Sequence, residues 1–120
     1  MRIVPDVRIE KTEQDGIILL KVSDRVELSY LAKLKATFQE CAATDSSKVS
    51  LNLAGVRSID SSGVSAIVSF QKELEKKNGK LVLVCVSPNC KYVLELLKLL
   101  EYFSIYDSEE EALRILQSYE

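Results

Sequence analysis

Histidine is entirely missing from this sequence of 120 residues. Its absence excludes Ser-His-Asp and Cys-His nucleophile systems, histidine-ligated metal sites and histidine general bases. Cysteine is scarce: Cys41, Cys85 and Cys90 are odd in number, lie in apolar surroundings and lack metal-type spacing. We expect them to be reduced core residues of a cytosolic protein, because no histidine is present to activate a thiol. The sequence therefore predicts a protein that is not an enzyme and that needs no metal or cofactor.

Long apolar runs and a strong excess of one charge are missing as well. The longest apolar run outside the predicted helices is "LVLVCV" (81–86), far below the roughly 20 residues that span a bilayer. The opening "MRIVPDVRIE" is too charged for a signal peptide. The net charge is −2, with acids and bases interspersed, which gives no reason to expect nucleic acid or an anionic membrane as partner. The length predicts one domain over residues 1–120, the short apolar runs predict a soluble protein, and the cysteine usage predicts a cytoplasmic one.

Hydrophobic periodicity predicts the element order β-β-α-β-α-β-α-(β)-α. Asp15-Gly16 stands between two alternating runs, which is the pattern of a β-hairpin with strands near 6–12 and 17–23. The remaining predicted elements are helix 28–43, strand 49–56, helix 61–77 ending at Asn78-Gly79, strand 80–86, helix 89–103, a short strand 103–106 and a helix capped by Ser108.

Strands that alternate with helices imply parallel β-α-β crossovers, and the opening hairpin adds an antiparallel neighbour. We therefore expect an α/β fold in which a mixed sheet packs against about four helices. On the first helix, the apolar spacing predicts a buried face of Leu28, Leu31, Leu34, Phe38, Cys41 and Ala42. On the third, it predicts that Val93, Leu96, Leu97 and Leu100 face the core and that Leu94 and Leu99 lie nearer the rim.

The stretch "IDSSGVSAI" (59–67) places an acid, two hydroxyls and a glycine between a strand and a helix. Helix capping explains part of it, since Asp60 at the N-cap can accept from the N–H of Ser62 or Gly63. Gly63 inside a helical turn costs about 0.5–1 kcal/mol relative to alanine, so something must approach the backbone closely there. Ser61 begins an outward stripe at the end of a sheet strand, where ligands and partners usually meet α/β sheets. We expect its hydroxyl to be exposed and within reach of a kinase.

Other chemistries fit this stretch less well. A nucleophile elbow needs G-x-S-x-G, and neither that motif nor a nearby lysine base is present. The phosphate-binding pattern G-x-x-x-x-G-K-[ST] is also missing. A phospho-accepting Asp60 of the receiver type would need an acidic cluster after the first strand, whereas "TEQD" (12–15) lies at the hairpin. Capping alone remains an open alternative for Ser61.

A phosphate on Ser61 is expected to change binding rather than folding. It adds about −1.5 to −2 charges and three acceptor oxygens. The positive end of the following helix would tolerate that charge, while the Asp60 carboxylate would oppose it. The loop "SDRVELS" (23–29), with Asp24, Arg25 and Glu27, is predicted to be a solvated turn. In the expected sheet order it would lie beside the Ser61 loop and share its surface.

The stretch "LNLAGVRSIDSSGVSAIVSFQKELEKKNGKLVLVCVSPNCKYVLELLKLL", followed later by "DSEEEAL", resembles the STAS domain of bacterial anti-sigma factor antagonists. The similarity covers nearly the whole chain. It implies that the serine after the motif's aspartate, here Ser61, is phosphorylated with ATP by an anti-sigma factor that is itself a serine kinase. It further implies that the unphosphorylated antagonist binds the anti-sigma factor and frees the sigma factor, and that a metal-dependent serine phosphatase restores Ser61.

This resemblance predicts a partner-binding surface made of Asp60, Ser61, Ser62, Gly63, Ser65, Asp24 and Glu27. Two positions depart from the family pattern. Asp24 and Arg25 replace a frequent glycine and acid, and Leu97-Lys98-Leu99 replaces a typical "S-G-L", which predicts a longer or differently ended third helix. The alternative function is a constitutive scaffold or regulatory subunit of a transport or stress-signalling assembly, in which Ser61 is only part of a helix cap.

Overall fold

The computed structural model describes residues 7–119 and contains five strands, four α-helices and one 3-10 turn in that range. The predicted start of the first strand at residue 6, and most of the opening segment, lie outside the described residues. The elements are β1 (Arg8–Gln14), β2 (Ile17–Val26), the 3-10 turn (Leu28–Tyr30), α1 (Ala32–Ala43), β3 (Lys48–Ile59), α2 (Ser61–Glu75), β4 (Lys80–Val84), α3 (Pro88–Leu96), β5 (Ser104–Tyr106) and α4 (Glu109–Gln117).

The strands form one mixed sheet in the order β1-β2-β3-β4-β5. β1 and β2 are antiparallel, and the other three pairs of neighbours are parallel. Asp15 (φ 53°) and Gly16 (φ 78°) both adopt the left-handed conformation that a tight hairpin turn requires. The predicted α/β fold, with its antiparallel hairpin, parallel crossovers and four helices, is confirmed.

Helices cover both faces of this sheet. Alternate residues of β4 point to opposite sides, so Leu81 and Leu83 join the large core with α1, α2 and α3, whereas Val82 and Val84 join a smaller core with α4. The large core links α1 to α2 through the stacked rings of Phe38 and Phe70, whose centroids lie 4.2 Å apart. In residues 7–119, no helix has the length and apolar character needed to cross a bilayer.

The prediction that Leu28 begins the buried face of the first helix is wrong. The segment after β2 forms a 3-10 turn, closed by a hydrogen bond from the Tyr30 N–H to the Glu27 carbonyl (2.8 Å), and α1 starts only at Ala32. As a result Leu28 is 67% exposed, and Leu31 is the first residue buried against the core.

The predicted length of the third helix is also wrong, and so is part of its predicted buried face, although Val93 and Leu100 do pack against the core. α3 ends at Leu96, because Lys98 turns left-handed (φ 58°) and the Leu99 N–H bonds back to the Leu94 carbonyl (2.8 Å). Cys90 and Leu94, one helical turn apart, are the fully buried residues. Leu96 and Leu97 are instead 62% and 42% exposed. Leu97-Lys98-Leu99 therefore forms the turn that ends α3, and the helix is shorter than the predicted range 89–103.

The other predicted boundaries shift by a few residues. β3 continues to Ile59, directly before the acid of the junction, and α2 ends at Glu75. Asn78 carries the left-handed conformation (φ 59°) expected of the Asn-Gly pair. Ser108 accepts a hydrogen bond from the Glu111 N–H (3.1 Å), which confirms the predicted N-cap of the last helix.

Candidate functional site

Asp60 stands at the junction between β3 and α2 and makes four hydrogen bonds, one of which its carbonyl accepts from the Val64 N–H (3.0 Å). Its Oδ1 accepts from the Gly63 N–H (2.9 Å), which confirms the predicted N-cap of α2. Its Oδ2 accepts from the Leu28 N–H (3.1 Å), and its own N–H donates to the Val26 carbonyl (3.3 Å). One carboxylate thus joins the start of α2 to the turn that follows β2. The sequence predicted the cap, but not the second bond.

Gly63 is required by the close approach of β2 to the first turn of α2. A Cβ at this position would lie 2.1 Å from the Val26 carbonyl oxygen and 2.8 Å from Val26 Cγ1. The close contact inferred from the glycine therefore comes from the chain's own strand. Gly63 is buried, so it shapes the surface above it without being part of that surface.

The serines of the junction differ in exposure. Ser61 and Ser65 are exposed on α2, and Ser62 is half-buried. The Ser61 hydroxyl has no hydrogen-bond partner among residues 7–119. A hydroxyl without a hydrogen-bond partner can act as the nucleophile that attacks a phosphoryl donor. The N–H groups at the helix N-terminus favour a negative group at this position.

A groove of about 820 Å³ runs between α1 and α2, with Ser61 on its wall. Its lining residues are Leu28, Lys35, Phe38, Gln39, Ala42, Ala43, Ser61, Ser62, Ser65, Ala66, Ser69, Phe70 and Glu73. Buried apolar side chains such as Phe38, Ala66 and Phe70 form the floor, while exposed hydroxyls form one rim. The exposed Leu28 lines the same groove as Ser61, and the sequence did not predict this placement.

The sequence did carry one signal for the exposed position of Leu28. Leu31, Leu34, Phe38 and Cys41 recur at intervals of three and four, and continuing that pattern backwards leads to position 27 rather than 28. Leu28 therefore does not share the helix face that these four residues bury.

The predicted loop 23–29 is largely strand in the structure. β2 continues to Val26, with Asp24 opposite Val56 and Arg25 opposite Ser58 in the parallel ladder, so the prediction of a solvated turn at these two residues is wrong. Asp24 has a positive φ (76°) beside a register shift, and that irregularity explains the polar pattern without a loop. The turn that does lie beside the Ser61 junction begins at Glu27.

Glu27 lies in a second, polar cleft of about 520 Å³, together with Arg25, Arg57, Ser58 and Asn89. Asn89 donates to the Arg57 carbonyl (2.8 Å) across this cleft. The structure therefore brings Asp60, Ser61, Ser62 and Ser65 together at the start of α2, and places Asp24 and Glu27 along the neighbouring strand and turn.

Two cysteines are core residues, as predicted. Burial raises the pKa of the Cys41 thiol, and it raises the pKa of the Cys90 thiol to about 11. Cys85 is half-buried and its thiol donates to the Asp107 carbonyl (3.2 Å). In the part of the chain that the structure describes, no three Cys, Asp or Glu side chains converge as metal ligands would.

Comparison with proteins of known structure shows which folds this architecture resembles. The fold is similar to that of TM1081 from Thermotoga maritima, a candidate anti-sigma factor antagonist, with 25% identity over 91% of this chain and 94% of that one and a TM-score of 0.84. It is also similar to the anti-sigma factor antagonist SpoIIAA in its unphosphorylated form, with 18% identity, coverage of 93% and 98%, and a TM-score of 0.72.

The Bacillus cell fate determinant SpoIIAA in its phosphorylated form gives 19% identity, coverage of 91% of this chain and 97% of that one, and a TM-score of 0.69. At the identities of the two SpoIIAA structures, the likeness concerns the fold alone. The family model of the STAS domain matches residues 8–112, from the first strand to the start of α4. This chain belongs to the STAS domain family.

Proposed function

We propose that this protein is an anti-sigma factor antagonist whose binding to an anti-sigma factor serine kinase is switched off by phosphorylation of Ser61. The observation that carries the proposal is the exposed, unbonded Ser61 hydroxyl at the N-terminus of α2. The fold is that of proteins described as antagonists, one of which is known in unphosphorylated and phosphorylated forms. On this proposal the chain is a single STAS domain that binds and releases a partner, and the catalytic groups belong to the kinase.

The proposed modification is a phosphoryl transfer from ATP. The Ser61 Oγ attacks the γ-phosphorus while a base of the kinase takes its proton, the bond to the β-phosphate oxygen breaks, and ADP leaves. The resulting ester brings about −1.5 to −2 charges to a hydroxyl that was neutral. A metal-dependent serine phosphatase would hydrolyse this ester and return Ser61 to its binding form.

The local structure accommodates that charge without unfolding. The ester would stand at the positive end of α2, a helix of 15 residues, where N–H groups favour an anion. The Asp60 carboxylate beside it already accepts hydrogen bonds from two N–H groups. The electrostatic repulsion by the phosphate therefore acts on this one carboxylate and not on the core. The free-energy cost is instead expected at a partner surface pressed against Ser61.

The proposed docking surface has an exposed part and a supporting part. Ser61, Ser62 and Ser65 present hydroxyls to the partner, while Asp60 and Gly63 hold the first turn of α2 against β2. Asp24 and Glu27 are proposed to extend the surface along the end of β2.

The alternative of a scaffold that is never phosphorylated has its own support, because Asp60 does cap α2. Incubating the purified chain with its cognate anti-sigma factor kinase and ATP separates the two functions. We expect phosphopeptide mass spectrometry to locate the phosphate on Ser61, with none on Ser61→Ala and unchanged labelling of Ser62→Ala. Calorimetry should show that phosphorylation weakens kinase binding by at least about tenfold, or about 1.4 kcal/mol.

Two results would contradict the proposal. One is a wild-type chain that takes up no phosphate, or takes it up at Ser62. The other is equal affinity of Ser61→Ala and Ser61→Asp for the partner, which is the behaviour expected of a scaffold.

A further inference from the structure

Leu28 is an exposed leucine that lines the same groove as the Ser61 hydroxyl. Its side chain is 67% exposed, the largest value among the exposed large hydrophobic residues that the structure describes. It lies in the 3-10 turn between β2 and α1 and lines the groove that also contains Ser61. A protein that covered Leu28 would gain the burial free energy of its side chain, and the groove places that gain beside the proposed phosphorylation site.

The position of Leu28 is fixed by Asp60. The Leu28 N–H donates to Asp60 Oδ2 (3.1 Å), while Asp60 Oδ1 caps α2 through Gly63. The residue before Ser61 therefore sets the distance between the leucine and the modified hydroxyl. A cap alone needs one carboxylate oxygen, and here the second oxygen holds the turn.

Any protein that delivers a phosphoryl group to Ser61 must cover this end of the groove. Since Leu28 and Ser61 line the same groove, the surface that reaches the hydroxyl also covers the leucine. The nearby rim carries the uncharged hydroxyls of Ser62 and Ser65, so an apolar contact there displaces no paired charge.

We propose that Leu28 is an apolar anchor for the protein that phosphorylates Ser61, and that Asp60 is the positioning residue that holds this anchor beside the serine. The inference rests on the proposed function for the identity of the partner, but the tie between Asp60 and Leu28 belongs to the chain alone. The partner is a protein with an apolar pocket next to its nucleotide site, into which the Leu28 side chain inserts.

Asp60→Asn separates the two roles of the carboxylate. Asparagine is about as good an N-cap as aspartate, so its amide oxygen can keep the Gly63 bond. The second oxygen becomes an NH₂ donor, which cannot accept from the Leu28 N–H. In the unphosphorylated, isotope-labelled chain, amide hydrogen exchange followed by NMR should be roughly twofold to tenfold faster at Leu28. Exchange at Gly63 and at the core residue Leu83 should stay unchanged.

Equal exchange of Leu28 in the wild-type and Asp60→Asn chains would overturn the positioning role. Parallel acceleration at Gly63 would also overturn it, because the turn at Leu28 would then loosen only together with the cap of α2. If Asp60→Asn does not fold, as judged from Leu83, the anchor is tested by a variant outside the junction. That variant is Leu28→Gln, with Leu96→Gln as its matched control, since Leu96 is a similarly exposed leucine (62%) on α3.

We expect Leu28→Gln to weaken binding to the kinase by about tenfold or more and to raise the KM for Ser61 phosphorylation with little change in kcat. Leu96→Gln should leave both quantities as in the wild type. If Ser61 is phosphorylated and Leu28→Gln binds normally, the anchor is wrong and the proposed function stands. If wild-type Ser61 takes up no phosphate, the proposed function and the anchor fail, and hydrogen exchange still decides the tie.

Discussion

Gly63 shows how one missing Cβ positions the whole junction. The first turn of α2 lies so close to the end of β2 that the Val26 carbonyl occupies the place of a side chain. Because Asp60 bonds to the same helical turn and to Leu28, this contact lies within the set of interactions that joins the start of α2 to the turn after β2. A buried residue thereby shapes the surface that Ser61 and Ser65 form.

Gly63→Ala should lower the free energy of unfolding by about 2–3 kcal/mol, because the added methyl group meets a backbone oxygen that cannot rotate away. Urea denaturation measures the effect. Ser69→Ala, on the exposed side of the same helix, is the matched control and should change stability by less than about 0.5 kcal/mol. Similar losses in the two variants would mean that the contact with Val26 is not what Gly63 serves.

For single residues, the sequence predicted which interaction each one requires, but not which neighbouring residue provides it. The need of Asp60 for N–H donors and of Gly63 for a close neighbour could be read from capping chemistry and helix propensity. That Val26 of β2 is the close neighbour of Gly63, and that the turn after β2 supplies the Leu28 N–H to Asp60, depends on sheet order, which local propensity does not record. Leu28 was misplaced for a related reason, since a leucine is read as core unless the turn around it is known.

The end of α3 shows how a helix can stop without a glycine. Lys98 adopts φ 58° at the position where the Leu99 N–H bonds back to the Leu94 carbonyl. A residue with a Cβ pays a free-energy cost in this conformation that glycine avoids. The backbone pattern and the packing of Leu94 hold the turn in place despite that cost.

Lys98→Gly should therefore raise the free energy of unfolding by about 0.5–1 kcal/mol. The matched control is Lys91→Gly, an exposed lysine within α3, which should lower it by about 1 kcal/mol because its backbone is helical. Thermal denaturation of the two variants beside the wild type gives opposite shifts if the conformation is the cause. A loss of stability in both would contradict this explanation.

Elements whose ends are marked by turn or capping residues were predicted well, and elements without such residues were not. Asp15-Gly16, Asn78-Gly79 and Ser87-Pro88 each mark a boundary that the structure confirms within a few residues. Leucines recur past Leu96 without a glycine or proline, so periodicity alone extends α3 too far and rotates its buried face. The missing information is tertiary, because the packing of the helix on the sheet buries Cys90 and Leu94 and leaves Leu97 42% exposed.

Across the molecule, two separate cores stabilise the two faces of the sheet, and the larger one contains ionisable thiols. Cys41 and Cys90 are fully buried there, and burial keeps their thiols protonated. Neither is suited to act as a nucleophile near neutral pH. Their ionisation is instead linked to unfolding.

Stability should fall as the pH rises from 9 towards 11. The folded-state pKa of Cys90 is about 11 against an ordinary value of 9.0, so the unfolded chain loses this proton first and is favoured above pH 9. The contribution is fully present below pH 9 and is on the order of 2 kcal/mol. Urea midpoints across this window measure it, with Cys90→Ala as the control. That variant should be less stable at neutral pH but should lose less on alkaline titration, and an equally steep loss would assign the effect to other groups.

The five strands lie side by side in the order in which the chain is made. During synthesis each new strand can therefore pair with the strand made just before it, and no strand has to be inserted later between two others. The smaller core is different, because Ile17, Val82 and Val84 are covered by Ala112 and Leu116 of α4. During synthesis this face of the sheet stays uncovered until α4 is made, so the chain is most exposed to self-association in the interval before α4 emerges.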